Sequence, residues 1–228
     1  MTDKSELAKW WDNTHEGQDI MWTTDTSGEG VWKNLKVKDL IKTSKTVLDI
    51  GVGLGRGTKD LYNEGLEVHG LDISIVALNK VKPFTKNQYL PTDELPKNYF
   101  DLAISHLVAQ HMCDEDLLEQ MKKVILSLKP SGIFAMQFAS FKDCNYGTLN
   151  PNILDFDLKK RQRLGGCVRT PNRTEELVKK AGGKIVWLSE PDIKKSMTQV
   201  FINGAWKDSG ITCSCDWYIV HIKKGDTN

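Results

Sequence analysis

The sequence predicts an α/β fold in which a doubly wound, mostly parallel sheet carries helices on both faces. Three observations predict this class: short apolar, β-branched runs recur along the chain, helical segments separate them, and a glycine series follows the first run. Strands that alternate with helices pair in parallel through right-handed crossovers. We expect a single domain over residues 1–228, because no internal repeat divides the chain.

The first predicted unit is a strand, a glycine loop and a helix. The run KTVLDI at 45–50 predicts the strand, which stops where four glycines alternate with other residues from Gly51 to Gly57. The helix that follows is expected to end at Gly65, because glycine tolerates the left-handed backbone of a C-terminal cap.

A second unit repeats the pattern. The run LEVHGLD at 66–72 predicts a strand, and Ser74 can accept a backbone hydrogen bond at the start of the next helix. Pro83 ends that helix. Residues 88–90 are only a weak candidate strand, so we leave them out of the predicted sheet.

The third and fourth strands complete the predicted core, which covers residues 45–140. The runs FDLAIS at 100–105 and GIFAMQFA at 132–139 are apolar and bounded by polar segments. A long helix over 114–128 separates them. The core is therefore expected to hold four strong strands in chain order.

Additions are predicted on both sides of this core. Residues 1–40 form an N-terminal cap that begins with a short amphipathic helix over 3–12. Residues 141–170 break the alternation and are predicted to be a lid insertion. Residues 171–223 are predicted to form a final helix, begun by a Thr-Pro pair, and two last strands at 184–190 and 216–222.

The overall charge excludes some function classes. The chain has 31 basic and 30 acidic residues, so its formal net charge of +1 argues against a protein held on nucleic acid by phosphate contacts. No signal peptide or membrane-spanning stretch is evident, and the five cysteines lack ligand spacing for zinc. We therefore expect a cytoplasmic protein with reduced thiols, no membrane association and no bound metal; its oligomeric state is left open.

The glycine loop is the first candidate site. Between a strand and a helix, Gly51, Gly53 and Gly55 would let a ligand approach the backbone closely. A dinucleotide fingerprint would need glycine where Arg56 or Thr58 stands. The loop therefore indicates a different ligand.

Two acidic residues make that ligand more specific. Asp72 ends the second predicted strand, where a carboxylate can accept hydrogen bonds from both hydroxyls of a ribose. Asp49 lies near the end of the first strand and can complement an ammonium group. A ribose and an ammonium group occur together in S-adenosylmethionine.

In four segments the sequence resembles the class I S-adenosylmethionine-dependent methyltransferase superfamily, which has a Rossmann-like fold. They are VLDIGVGLGRG (47–57), VHGLDIS (68–74), ELPKNYFDLAIS (94–105) and SLKPSGIF (127–134), in the family's order and spacing. The resemblance covers about residues 45–140 and extends loosely to 223. It implies cofactor contacts at Asp49, Gly51, Gly53, Gly55, Asp72 (ribose) and Ile73 (adenine). Where the family often has an acid, this chain has Pro91, so Thr92 or Asp93 is the expected contact to the adenine amino group.

His106 is the candidate catalytic base. It follows the third strand at the carboxyl edge of the sheet, where ligands bind in open α/β folds, and a hydroxyl acceptor needs a base to remove its proton. Gln110, His111 and Gln137 are candidate acceptor-binding residues; packing roles remain open for His111 and Gln137.

The expected function is methyl transfer, at oxygen, to a small polar metabolite such as a sugar, a nucleotide-sugar or a phosphorylated compound. The basic cluster at 159–163 is either a solvated helix face or a site for an anionic acceptor. Two alternatives remain: a nucleotide-binding α/β oxidoreductase, and a module that binds S-adenosylmethionine without catalysis.

Overall fold

The computed structural model describes residues 4–16, 34–140, 167, 169–189, 192–202 and 205–225. Within these residues the helices are α1 (Lys4–His15), α2 (Lys38–Thr43), α3 (Arg56–Asn63), α4 (Ile75–Val81), α5 (Asp114–Ser127) and α6 (Pro171–Lys180). The strands are β1 (Thr46–Ile50), β2 (Glu67–Leu71), β3 (Asn87–Tyr89), β4 (Phe100–Ser105), β5 (Leu128–Ser140), β6 (Gly183–Leu188), β7 (Asp192–Ile202) and β8 (Ala205–Lys224).

All eight strands belong to one sheet, ordered β3-β2-β1-β4-β5-β8-β6, with β7 paired to β8. Strands β1 to β5 pair in parallel, and β8 runs antiparallel to β5, β6 and β7. The predicted doubly wound, mostly parallel α/β fold is thereby confirmed. The order reverses at β1 and β4, so the carboxyl ends of these strands open into one crevice.

The central strands are apolar on both sides because helices cover both faces of the sheet. In β4, Ala103 faces a core cluster that includes Leu177 of α6, while Leu102 and Ile104 face a second cluster that includes Leu61 of α3. All of these side chains are buried. This burial fixes the register and therefore the positions of the strand ends.

The predicted helix starts are confirmed at two caps. The Ser74 hydroxyl accepts a hydrogen bond from the Ala77 N–H at 3.1 Å, and the Thr170 hydroxyl accepts one from the Arg173 N–H at 3.3 Å. At its other end α4 passes into a 3₁₀ turn that contains Pro83. Local side-chain chemistry therefore sets these boundaries.

The structure differs from the sequence prediction at three places. Residues 87–89 form an edge strand, whereas the sequence pattern there was too weak for us to predict one. α5 ends at Ser127 and β5 begins at Leu128, because Pro130 disfavours helical backbone at Lys129, the residue before it. The strand predicted at 216–222 is the last part of the longer β8, which forms an unpredicted hairpin with β7.

The predicted lid lies almost entirely outside the described residues, as does the basic cluster at 159–163. In the described part of the chain, no helix is both long enough and apolar enough to cross a membrane.

Candidate active site

The glycine loop begins where β1 and β2 end side by side. Ile50 pairs with Leu71, and the Gly51 N–H donates to the Leu71 carbonyl at 2.7 Å. Gly51, with φ of +73°, leaves no room for a side chain, because a Cβ atom there would lie 2.2 Å from Cγ2 of Val108. The loop after β4 therefore packs directly on the backbone of the glycine loop.

Asp72 joins the glycine loop to the start of α4. One carboxylate oxygen accepts the Gly53 N–H at 3.0 Å, and the other accepts the Ser74 N–H at 2.8 Å. The residue is only 7% exposed, and burial raises its pKa. The backbone N–H of Ile73 also lies close enough to lower this pKa. A carboxylate has about four lone-pair sites, so these three N–H groups leave acceptor capacity for a ligand.

Asp49 lies near the end of β1, is buried and has a hydrogen-bond donor within the protein. Its carboxylate accepts a hydrogen bond from the Thr58 hydroxyl at 2.6 Å. Burial and, to a smaller extent, the nearby Asp72 charge raise its pKa to about 6, against the lowering effect of the Thr58 hydrogen bond. Asp49 does not contribute to the cavity wall described next.

A cavity of about 300 Å³ lies at the carboxyl edge of the sheet, in front of the glycine loop. Its wall comes from α1, from the ends of β1 and β2, from the loop after β4 and from α5. The lining residues are Lys4, Leu7, Trp11, His15, Gly51, Gly53, Leu71, Asp72, Ile73, Pro91, His106, Leu107, Val108, His111, Met112, Asp116, Glu119 and Gln120.

Two histidines lie in the loop after β4, and both line the cavity. His106 directly follows β4, with Nε2 3.4 Å from Nδ2 of Asn34. His111 closes a 3₁₀ turn, and its ring meets Trp11 edge-on at a centroid distance of 4.9 Å. The cavity therefore offers two imidazoles at the end of the sheet.

The structure brings Gly51, Gly53, Asp72, Ile73, His106 and His111 together at the cavity. The other candidate residues do not line it. Gly55 caps α3 with φ of +82°, and Asp93 accepts the Leu90 N–H at 2.8 Å. Thr92 is exposed, while its neighbour Pro91 reaches the wall.

Gln110 and Gln137 do not line the cavity. Gln110 is 7% exposed, and its side-chain oxygen has no hydrogen-bond partner among the described residues. The side-chain oxygen of Gln137 is likewise buried and unpaired within that part of the chain. Both amides thus have unused acceptor capacity near the carboxyl edge of the sheet.

The contribution of α1 was mostly missed from the sequence. Lys4, Leu7, Trp11 and His15 line the cavity from one side of this helix. Their spacing of three, four and four residues is the helical repeat, so the sequence places them on one face, of which Leu7 and Trp11 are the apolar members. What that face covers depends on tertiary packing.

The two ends of α1 are held by different elements. The Lys4 ammonium lies 2.9 Å from the Glu119 carboxylate of α5. Near the other end, the Asp12 carboxylate accepts the Ser74 hydroxyl at 2.6 Å and the Val76 N–H at 3.1 Å. The helix therefore bridges α5 and α4 across the cavity.

A metal centre has no support in the described residues, where no group of three or more His, Cys, Asp or Glu side chains is arranged to hold an ion. The thiols there do not change this picture: Cys113 and Cys167 are partly exposed, and neither forms a disulfide with another described residue. Burial raises the pKa of Cys113 to about 12, so this thiol stays protonated at neutral pH.

Sequence comparison finds similarity to known methyltransferases within the core. Residues 48–136 match the family profile described as "Methyltransferase domain". Phosphoethanolamine N-methyltransferase 2 of Caenorhabditis elegans is 34% identical over 102 residues, 40% of this chain and 23% of that protein. The phosphoethanolamine N-methyltransferase of Plasmodium falciparum is 34% identical over 114 residues, 46% of this chain and 42% of that protein. The chain thus spans less than half the length of these two relatives.

Solved structures share the fold at low identity. The PH0226 protein of Pyrococcus horikoshii has a TM-score of 0.60 at 19% identity, covering 91% of this chain and 94% of that chain. A methyltransferase of Methanosarcina mazei, described as SAM-dependent, has a TM-score of 0.61 at 14% identity, covering 84% and 98%. At these identities the likeness is one of fold.

Proposed function

Since residues 48–136 match the family profile described as "Methyltransferase domain", we propose that this chain belongs to the class I S-adenosylmethionine-dependent methyltransferase superfamily and transfers a methyl group from S-adenosylmethionine to a small polar acceptor. The observation that carries the proposal is the position of Asp72. This buried carboxylate lies at the end of β2, beside a closely packed glycine loop, and faces a cavity.

The residues present fit this cofactor. A Cβ atom at Gly53 would have only the Gly51 carbonyl within 4 Å, at 3.9 Å, so the backbone there is open to a ligand. Asp72 would accept the ribose hydroxyls, and Ile73 would lie against the adenine. Asp49, with Gly51 and Gly55 beside it, would complement the amino-acid portion; Thr92 and Asp93 remain the candidates for the adenine amino group.

When bound, S-adenosylmethionine supplies an electrophilic methyl group on a sulfonium. The chain must then align the acceptor and remove its proton. His106 is our proposed base, because it lines the cavity directly after β4. His111 shares the cavity, and Gln110 and Gln137 have side-chain oxygens that no described residue pairs, so these three are the proposed acceptor-binding residues.

The acceptor is proposed to be a small polar molecule methylated at oxygen, with an amine as the second candidate. The second candidate rests on the two relatives, whose names say that they act on phosphoethanolamine nitrogen. A sugar, a nucleotide-sugar or a phosphorylated compound falls within the first candidate. An anionic acceptor would draw on the basic residues at 159–163.

Binding tests the cofactor assignment first. We expect calorimetry to show that the chain binds S-adenosylhomocysteine in the micromolar range or tighter and NAD far more weakly. Gly51→Ala should abolish this binding, because the added methyl group would collide with Val108 in the cavity wall. Gly65→Ala is the matched control: its φ of +80° is equally unfavourable, but nothing lies within 4 Å of the added Cβ.

Tighter binding of NAD would instead favour the oxidoreductase alternative. Equal cofactor affinity in the Gly51→Ala and Gly65→Ala variants would place the ligand away from the glycine loop. Either result would contradict the proposed site.

Turnover tests the catalytic part. With a methyl-labelled donor and a panel of sugars, phosphosugars, ethanolamine and phosphoethanolamine, mass spectrometry should find one labelled product and identify the methylated atom. His106→Ala should lower kcat by roughly 10²- to 10⁴-fold while S-adenosylhomocysteine affinity stays unchanged. Near-normal kcat at saturating acceptor would reject the base role. Tight cofactor binding with no labelled product from the panel or from a cell extract would favour the non-catalytic module.

A further inference from the structure

His15, at the end of α1, is a buried polar residue whose presence in the cavity wall has no structural explanation. The residue is 7% exposed, and its Nδ1 atom has no hydrogen-bond partner among the described residues. A buried polar atom without a partner is costly, so it usually marks a functional role or a missing ligand. His15 is not part of the glycine-loop motif.

The position of His15 is fixed by its own helix. Asp12, one turn earlier, is bonded to the Ser74 hydroxyl and the Val76 N–H. The Trp11 ring stacks on the imidazole at a centroid distance of 5.5 Å and an interplanar angle of 25°. These contacts hold the imidazole in one orientation against the cavity.

His15 and Asp72 lie close enough to influence each other electrostatically. Burial lowers the pKa of His15, and this effect outweighs the opposing charges of Asp72 and Asp12; the charge of Lys80 lowers it further. The imidazole is therefore neutral at neutral pH and carries one donor and one acceptor nitrogen. Because an orphaned buried N–H is costlier than a bare acceptor, the unpaired Nδ1 favours the tautomer with its proton on Nε2.

Together with the proposed function, on which this inference rests, these contacts lead us to propose that His15 is a second ribose-binding residue. Its unpaired Nδ1 accepts a hydrogen bond from one ribose hydroxyl, and the other ribose hydroxyl donates to the Asp72 carboxylate. The ligand class is a nucleoside with an intact vicinal diol. The N-terminal helix thereby supplies half of the diol site, and β2 supplies the other half.

The test is a cycle of protein and ligand variants measured by calorimetry on the full chain. His15→Phe keeps an aromatic ring for Trp11 and removes both nitrogens, whereas His15→Asn keeps an acceptor oxygen at about the reach of Nδ1. Asn13→Ala, on the exposed side of the same helix, is the control. Each protein is titrated with S-adenosylhomocysteine and with its 2′-deoxy and 3′-deoxy analogues.

We expect His15→Phe to weaken S-adenosylhomocysteine binding by about tenfold, the effect of one hydrogen bond in a buried site. The same substitution should hardly change the binding of one of the two deoxy analogues, because that analogue lacks the hydroxyl that His15 binds. His15→Asn should recover part of the affinity, and Asn13→Ala should match the wild type.

Two results would overturn the inference while leaving the proposed function intact. In one, His15→Phe binds S-adenosylhomocysteine as tightly as the wild type. In the other, it weakens all three ligands equally, which would assign His15 a packing role. Failure of the wild-type chain to bind S-adenosylhomocysteine at all would be a failure of the proposed function itself.

Discussion

Asp49 is a carboxyl group placed where its charged form is unfavourable. It is buried at the end of β1, and the Thr58 hydroxyl is the hydrogen-bond donor that it has in the structure. Its pKa of about 6 is above the value of 3.8 that applies to an ordinary aspartate. An acid that keeps a raised pKa at a strand end is suited to a cationic ligand, because such a ligand would stabilise the charged form.

Asp49→Asn should remove a pH dependence from folding. The folded protein holds this proton more tightly than the unfolded chain does, so the contribution of Asp49 to the free energy of unfolding is greatest below about pH 4 and falls as pH rises to about 6. The free energy of unfolding of the variant minus that of the wild type should therefore increase by roughly 2 kcal/mol from pH 4 to 7. Urea unfolding at a series of pH values, without ligand, measures it.

Asp101→Asn provides a control of opposite sign. Contacts with Lys129 and with the backbone N–H groups of Lys45 and Thr46 outweigh burial and lower the pKa of Asp101 to about 2. The wild type therefore loses the contribution of Asp101 only as pH falls from about 4 to 2. Between pH 4 and 7 the difference for Asp101→Asn should be flat. A flat difference for Asp49→Asn as well would mean that water reaches Asp49 in the folded protein.

The segment that joins β4 to α5 is held by an arginine from a distant part of the chain. The Arg169 side chain, 3% exposed, donates to Asp114 at 2.7 Å and to the carbonyl oxygens of Ala109 at 2.9 Å, Met112 at 2.6 Å and Cys167 at 3.1 Å. These bonds hold the turn that places His111 in the cavity. A planar guanidinium can make them together because its donors lie in a fixed fork.

Arg169→Lys should lower the free energy of unfolding by roughly 2–4 kcal/mol, because an ammonium cannot replace the fork and leaves buried carbonyls unpaired. Arg173→Lys is the matched control. Arg173 also binds Asp114, at 2.8 Å, but it is 42% exposed, so solvent screens this pair and its change should cost far less than that of Arg169. Denaturant unfolding compares the two variants, and equal losses would show that the carbonyl contacts of Arg169 contribute little.

Elements with strong local signals could be predicted, and those that depend on partners could not. Ser74 and Thr170 begin α4 and α6 as expected, because a cap is a contact between residues three apart. β3 is short and polar, NQY, and exists through its pairing with β2. β7 has the polar sequence DIKKSMTQVFI and exists through its hairpin with β8.

The candidate site divides in the same way. Gly51 and Asp72 were predicted at the cavity because strand ends and a glycine loop are local features, and parallel pairing aligns them. His15 and Lys4 were not predicted, since nothing within α1 says which surface it covers. Neither was Val108, whose contact with Gly51 joins residues far apart in the chain.

In the described part of the chain, the cavity is formed by two kinds of element that differ in their stability against local opening. The glycine loop and Asp72 belong to the central sheet, whereas α1 lies on the outside and connects to it through Asp12 and Lys4. Exposed ion pairs such as Lys4–Glu119 contribute little, so the Asp12 contacts carry most of the polar attachment. Such a peripheral helix opens more readily than the core strands do.

A ligand that contacts both parts should therefore slow the opening of α1. If binding requires α1 to be in place, amide hydrogens of α1 should exchange more slowly by a factor of up to 1 + [L]/Kd. That factor is about 100-fold at a free S-adenosylhomocysteine concentration of 100 Kd, equivalent to about 2.7 kcal/mol. Hydrogen-exchange mass spectrometry with and without ligand measures this factor. β6, whose residues do not line the cavity, serves as the internal reference.

Asp12→Ala links this exchange to affinity. Loss of the bonds to Ser74 and Val76 should speed α1 exchange in the free protein, because the helix then detaches more often. The apparent affinity for S-adenosylhomocysteine should fall in proportion to the fraction of molecules with α1 in place, since only these bind. If the ligand protects the glycine loop of the wild type but leaves α1 exchange unchanged, ligand and α1 do not share the cavity. An Asp12→Ala variant with faster α1 exchange and unchanged affinity would contradict the coupling directly, because one helix cannot complete the site and also be dispensable to it.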